Sequence, residues 1–290
     1  MTNSVDLKLL SDLLALPSIA HREFSVIAFL IAYCSKKGWR WHVDTHGNLY
    51  VNNSQPGFSP EAFTVGGAGA MYCPCLAAHM DTVHSPELVR IEKKNNRLIA
   101  IGQDEHQTGL GGDDKAGIYV CLELLNRLSG LKAAFFVAEE IGCQGSRVCD
   151  EQFFNDVGYV MEWDSPCDDI MTYTCDGTQL FPDEGEFHDT MLPIVKRFGV
   201  INWQHHPYTD VSVLRRKFDF PCLNLPPGYF RMHSAHEYVS VPAVENALNL
   251  GAMLIQELGH RYYLYEASVE RDYGHAGRPA LPVSGLKTHG

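Results

Sequence analysis

The stretch Cys75-Leu76-Ala77-Ala78-His79-Met80-Asp81-Thr82-Val83 is an apolar run that ends abruptly in a histidine and an aspartate. Extended back to Tyr72, the run is short and continuous, which reads as a buried strand. The pattern recurs. Leu131 to Ala138 is an apolar strand that ends in Glu139-Glu140, and Gly158 to Trp163 is another that ends in Asp164. Between the strand before His79 and the one that starts at Leu131 lies a helix over Asp113 to Ser129, with Ile118, Cys121, Leu122, Leu125 and Leu128 at helical spacing. Strands that alternate with helices predict an α/β protein of three layers, α/β/α, with a mixed, mostly parallel central sheet covered on both faces. In such sheets ligands bind beyond the carboxyl ends of the strands, where these polar residues fall.

The rest of the chain fits that frame. Helices are predicted over Asp6 to Leu16, Arg22 to Lys37, Gly185 to Phe198, Asp210 to Lys217 and Val241 to Leu258. The last has Ser240 to cap it, Pro242 in its first turn and Gly259 to stop it. Short strands are predicted at Arg40 to Val43, Asn48 to Val51, Ile170 to Cys175 and Pro221 to Leu225, with a hairpin at Leu88 to Glu92 and Arg97 to Ile101. Asn52 to Gly69 reads as a loop. Residues 267–290 lack periodicity and read as a C-terminal extension, leaving 1–266 as a single domain.

Composition excludes several classes. The 290 residues are 45% hydrophobic and 20% charged, an ordinary globular balance. A net charge of −12 argues against a broad basic face for nucleic acid. The first residues carry no basic segment followed by an apolar one, and no stretch approaches the ~18 apolar residues of a membrane span, so neither export nor a membrane partner is expected. Nine cysteines form no paired framework. Reduced thiols and a cytoplasmic location are the expectation, and the Asn52-Asn53-Ser54 sequon then has no use. Cys73 and Cys75 flank a proline just before His79, but Cys-x-Cys without a second pair is not a zinc pattern, and a structural role is expected.

Five polar clusters stand at strand ends or helix starts: His79 to Val83, Gly111 to Gly117, Glu139 to Gly142, Asp164, and His233 to Glu237. Each alone is ordinary. Together they offer two histidines and several carboxylates, the ligand types of zinc and its neighbours. Two divalent ions ~3.5–4 Å apart need a carboxylate that bridges them. In a Glu-Glu pair one carboxylate can bind metal while the other stays free to take a proton from water.

The motifs HMDTV, GGDDKAG, AEEIG and MHSAHE, with DTHGNLYV upstream, resemble those of the co-catalytic di-zinc exopeptidases, a superfamily that includes peptidase T, the aminoacylases and the bacterial leucyl aminopeptidases. The resemblance covers about Leu9 to Leu258. It implies a zinc-peptidase-like fold and two divalent ions, zinc ahead of cobalt or manganese. It implies that His79 binds one metal with Asp164, that Glu140 and His233 bind the other, and that Asp113 bridges them, with a cis peptide to Asp114. Glu139 would be the general base and acid, and Asp81 would orient the His79 ring.

His233 lies 69 positions after Asp164. Peptidase T and the aminoacylases insert a separate lid or dimerisation domain of about a hundred residues there. No room for it is expected here, and either a monomer or a homo-oligomer is open. Local groups would then have to bind substrate, and His205, His206, Tyr208, Asp210 and Tyr229 are candidates; Asp210 could instead cap the helix that follows. The expected activity is that of an aminopeptidase on short peptides. Arg215, Arg216 and Arg231 keep open a carboxypeptidase or an N-acyl-amino-acid amidohydrolase, and a glutaminyl cyclase-like acyltransferase with a single zinc is the alternative of another class.

Overall fold

The computed structural model describes residues 4–54, 71–84 and 89–266. Most of the loop expected over Asn52 to Gly69, and the whole extension from residue 267, lie outside the described residues. In chain order the elements are α1 (Leu7–Leu14), α2 (Phe24–Lys37), β1 (Arg40–Val43), β2 (Leu49–Asn52), β3 (Cys73–His79), β4 (Arg90–Lys94), β5 (Arg97–Ile101), β6 (Gln107–Thr108), α3 (Gly112–Arg127), β7 (Lys132–Phe136), α4 (Gln144–Arg147), β8 (Val157–Glu162), β9 (Ile170–Cys175), β10 (Thr178–Gln179), α5 (Glu186–Arg197), β11 (Asn202–His206), α6 (Asp210–Lys217), β12 (Cys222–Asn224), β13 (Tyr229–Phe230), β14 (Tyr238–Ser240) and α7 (Val241–Leu258).

A nine-stranded sheet runs β1-β2-β7-β3-β8-β12-β9-β10, with β11 beside β9. Its centre, β7, β3, β8 and β12, is parallel, and β1, β2 and β10 are antiparallel additions. Every residue of β3, β7 and β8 is buried, as expected of parallel strands covered on both faces. Helix α3 packs on β3 with α1 and α7 against it, and α5 packs on α7; α6 lies against β3, β8 and β12, with α4 beside it. The result is the expected three-layer α/β/α fold with a mixed, mostly parallel sheet.

The helix ends follow local chemistry. The Asp6 carboxylate accepts from the amides of Lys8 and Leu9, and the Ser240 hydroxyl accepts from Ala243 N with Pro242 beside it. Asn53, the middle residue of the Asn52-Asn53-Ser54 sequon, is buried; its Nδ2 donates to the carbonyls of Leu125 and Leu128 at the end of α3, and its Oδ1 accepts from Leu131 N.

Two features differ from expectation. A second, five-stranded sheet, β13-β14-β5-β4 with β6 on β5, holds the expected hairpin. Its other members are two or three residues long, too short to show periodicity. The segment that carries His205 and His206, over which no strand is predicted, forms β11, an edge strand whose residues are mostly exposed and so carry no apolar alternation.

Strand register brings the polar clusters to one edge of the central sheet. His79, the last residue of β3, lies opposite Phe136 at the end of β7, and Ala77 lies opposite Glu162 at the end of β8. The residues that follow each strand, His79 to Asp81, Glu139-Glu140 and Asp164, therefore emerge together.

Candidate metal centre

Asp113 sits in the first turn of α3. The chain reaches it through Gly111, which has a left-handed φ of +67°, and Gly112, where a Cβ would lie 2.7 Å from Val239. The Asp113-Asp114 peptide is cis. The two oxygens of Asp113 face different histidines. Oδ1 is 3.0 Å from His79 Nε2, and Oδ2 is 3.3 Å from His233 Nε2. His79 Nε2 is also 3.5 Å from Asp164 Oδ1, while His233 Nε2 is 3.1 Å from both oxygens of Glu140. The five residues thus form two halves, His79 with Asp164 and His233 with Glu140, joined through one carboxylate.

Atoms of His79, Asp113 and Glu140 converge closely enough to hold an ion, as do those of His79, Asp114 and Asp164. Asp114 is otherwise engaged: Oδ2 accepts from the His79 amide at 3.2 Å and Oδ1 from the Gly117 amide at 3.1 Å. Geometry therefore favours Asp113 over Asp114 as the shared group.

The electrostatics suit divalent cations. Burial, with the neighbouring acids, pushes the carboxyls of Glu140 and Asp164 above their ordinary range. Burial acts the same way on Asp113, but contacts from His233 and His79 outweigh it and hold this carboxyl low. The histidines respond in turn. His233 is raised to about 10 by Asp113 and Glu140; burial opposes a charge on His79, yet Asp113, Asp164 and Asp81 raise it well above its ordinary value. The cluster draws positive charge onto groups that bind metal as neutral imidazoles. A buried acidic pocket of His and carboxylate donors is what two divalent ions require.

Glu139 is buried beside the cluster without contacting either histidine in the way Glu140 does. Its Oε1 accepts from Cys143 Sγ at 3.4 Å, and burial raises its carboxyl well above the usual range. Asp81 lies beneath. Its Oδ1 and Oδ2 accept from the amides of Glu139 and Glu140, at 2.9 and 3.1 Å.

The substrate-binding candidates divide. Tyr208 is exposed, its hydroxyl donating to the Glu140 carbonyl at 3.4 Å, and half-buried His206 contacts the Tyr208 carbonyl through Nδ1 at 2.8 Å. His205 turns to Thr174, 2.8 Å away. Tyr229 is buried and donates to Asp164 Oδ1 at 3.1 Å. Asp210 is buried too. It accepts from Ser146 Oγ at 2.5 Å and stands one residue past the N-cap of α6, Thr209, so it is not the cap.

The sequence model of peptidase family M20/M25/M40 matches residues 75–257. The chain belongs to this family. By fold the peptidase is similar to aminopeptidase PepT from Bacillus cereus (TM-score 0.71, 14% identity, over 89% of this chain and 99% of that one). It is also similar to a tripeptidase from Staphylococcus aureus (0.68, 14%, 88% and 98%) and to an aminopeptidase from the archaeon Desulfurococcus kamchatkensis (0.63, 14%, 87% and 94%). No curated protein matches the chain by sequence. Family and ligand geometry together make this a metal-dependent hydrolase acting on peptides. Among the described residues, no helix is long and apolar enough to cross a membrane.

Sequence reading passed over several residues that shape the peptidase's site. Asn48 is buried and ties the turn before β2 to the loop after β7, accepting from Val137 N and donating to the Gly145 carbonyl. Glu23 accepts from the Ala138 amide at 3.1 Å. Glu162 is buried and accepts from Thr209 Oγ1, which also lies 3.4 Å from Asp164 Oδ2. Glu237, quoted in a motif but given no role, is buried against the Asp113 turn. The nine cysteines are free thiols, eight of them buried, and burial pushes Cys73 up to about 12, which disfavours a thiolate ligand.

Proposed function

We propose that the protein is a dinuclear zinc aminopeptidase acting on short peptides. The division of Asp113 between His79 and His233 carries this reading, because one carboxylate aimed at two ligand sets is the arrangement a two-metal site needs. His79 and Asp164 would hold one ion, His233 and Glu140 the other, and Asp113 both. Two divalent cations bound there would supply Lewis-acid charge and lower the pKa of a coordinated water.

The protein's own share is proton transfer and orientation. Glu139 stands next to the proposed ligand Glu140, and its carboxylate is not committed to a histidine. It accepts the proton of the attacking water and returns it to the leaving amine. Its raised affinity for protons suits both halves of that task. Asp81 fixes the peptide segment that carries Glu139 and Glu140. Tyr229 and Thr209 orient Asp164. Tyr208, whose hydroxyl reaches the Glu140 carbonyl, and His206, which contacts the Tyr208 carbonyl, are the candidates for substrate contact.

A free amino terminus is drawn by carboxylates, in which this site is rich. Recognition of a carboxyl terminus needs a cation, and two of the three arginine candidates are engaged elsewhere. Arg215 is buried, donating to the carbonyls of Phe218 and Glu266, and Arg216 contacts Thr178 and Asp176. Arg231 alone is exposed near His233. We read residues 1–266 as one catalytic domain, without a separate lid. In support, β9, β10, β11 and β12, all between Asp164 and His233, belong to the central sheet. A cytoplasmic location is part of the same reading.

The test is hydrolysis of amino-acid p-nitroanilides against N-acyl amino acids, with and without zinc, alongside metal analysis. Zinc-dependent cleavage of the anilides by protein holding two ions per chain is expected. Activity on N-acyl amino acids alone would move the protein to the amidohydrolases, and one zinc per chain would favour the cyclase-like alternative.

A further inference from the structure

Glu237 lies four residues past His233, and its carboxylate is wholly buried. Oε2 accepts from the amides of Leu110 at 3.0 Å and Gly111 at 2.7 Å, and Oε1 accepts from the amide of Asp113 at 3.1 Å. His84 Nε2 lies 2.7 Å from Oε2. A carboxylate oxygen that already takes two amides can only accept, so His84 donates from Nε2. The Glu237 amide donates to the Ser234 carbonyl at 3.2 Å, which places the carboxylate on the same tight turn that carries His233.

One side chain therefore joins two segments 124 residues apart: the turn that presents Asp113 and the turn that presents His233. The adjacent glycine shows how close this approach is. A Cβ on Gly112 would lie 3.3 Å from Glu237 Oε1 and 2.7 Å from Val239. A neutral amide at position 237 cannot reproduce these contacts. Its oxygen can replace one carboxylate oxygen, but its NH2 would face amide donors and leave at least one buried N–H without an acceptor.

We propose that Glu237 is a positioning residue for the metal centre. It sets the separation and orientation of Asp113 relative to His233, and so determines how tightly the second ion is held, while His84 fixes Glu237 from the other side. The proposal rests on the two-metal reading given above.

The test uses full-length protein stripped of metal. Zinc is titrated against a chromogenic chelator, and visible spectra are taken of the cobalt-substituted form, for wild type, Glu237→Gln, His84→Ala and Asp113→Asn. Wild type is expected to bind two ions. Glu237→Gln should keep the wild-type circular dichroism, bind at least one ion about 10- to 100-fold more weakly and shift the cobalt spectrum, with kcat lowered and KM little changed. His84→Ala should shift both metal readouts in the same direction, by a smaller factor.

If wild type and Asp113→Asn behave as two-metal and defective sites but folded Glu237→Gln binds both ions with wild-type affinity and spectrum, the proposal fails and the two-metal reading stands. If wild type itself binds fewer than two ions, both fail. Should Glu237→Gln not fold, His84→Ala decides: wild-type affinity and spectrum in that variant overturn the proposal.

Discussion

Nδ1 of His79 lies 3.4 Å from Oδ1 of Asp81, a buried contact too long to be a strong hydrogen bond. The same carboxylate holds the amides of Glu139 and Glu140. Asp81 thus fixes the backbone of the proposed base and of one proposed ligand, and we propose that it also orients the His79 ring. In Asp81→Asn, the amide NH2 must face either a backbone N–H or the imidazole. Zinc affinity should fall about 10- to 100-fold, with kcat falling alongside it. Zinc titration of the metal-free variant measures this, and unchanged affinity would show that Asp81 is a structural acid only.

Glu139→Gln separates proton transfer from metal binding. The two glutamates are adjacent, but the Glu140 carboxylate contacts His233 while the Glu139 carboxylate accepts from Cys143. The variant should retain two zinc ions per chain and lose roughly 10²- to 10⁴-fold in kcat, the usual contribution of a positioned acid-base group. Turnover at the wild-type rate would remove Glu139 from the mechanism; loss of metal would make it a ligand.

Gly117→Ala tests the support beneath His79. A Cβ there would stand 2.2 Å from Asp114 Oδ1 and 2.5 Å from Oδ2. Asp114 would have to move, and with it the acceptor for the His79 amide. A destabilisation of about 1–3 kcal/mol is expected from the overpacking, together with weaker zinc binding. Urea unfolding of metal-free protein reads the first effect and zinc titration the second. A destabilised variant with wild-type zinc affinity would show that Asp114 supports the fold but not the site.

What sequence reveals and what it conceals have physical causes. Helix α7 is legible to its end residues because Ser240, Pro242 and Gly259 are local signals. The edge of the sheet that carries the site is legible because buried parallel strands read as apolar runs, and the polar residues that end them stand out. The proposed metal ligands follow from the resemblance of their motifs to those of the di-zinc exopeptidases. Glu237, Asp114 and Glu162 escape notice because an acid buried against backbone amides has the same letter as one in water. For Glu237, the amides that satisfy it lie 124 to 127 positions away, beyond any periodicity. The same holds for Tyr229: as a residue type it suggests substrate contact, and only the fold shows its hydroxyl turned to Asp164.

Tyr229→Phe follows from that contact. The variant keeps the ring, so packing is preserved, and removes one donor from Asp164 Oδ1. Metal-free stability should change by about 1 kcal/mol, and zinc affinity should fall by less than ~10-fold. If the variant instead loses substrate affinity with metal binding intact, Tyr229 would be a substrate contact after all.

Removal of metal should destabilise the protein through the carboxylates that the ions neutralise. The carboxylates of Asp113, Glu140 and Asp164 are largely buried within reach of two histidines, and among the described residues these two imidazoles are the cationic groups in contact with them. Ions that bind the native state but not the unfolded chain stabilise by mass action, about 2.7 kcal/mol when free zinc is at a hundred times its Kd. For a chain of this size that corresponds to a rise in Tm of about 4–5 °C. Chelation should lower Tm by this amount, and added zinc, but not magnesium, should restore it. Magnesium makes the comparison discriminating because it prefers an octahedral shell of oxygens and retains its waters, whereas two of the five donor groups here are imidazoles. A Tm indifferent to both chelator and zinc would contradict the assignment of these five residues to metal.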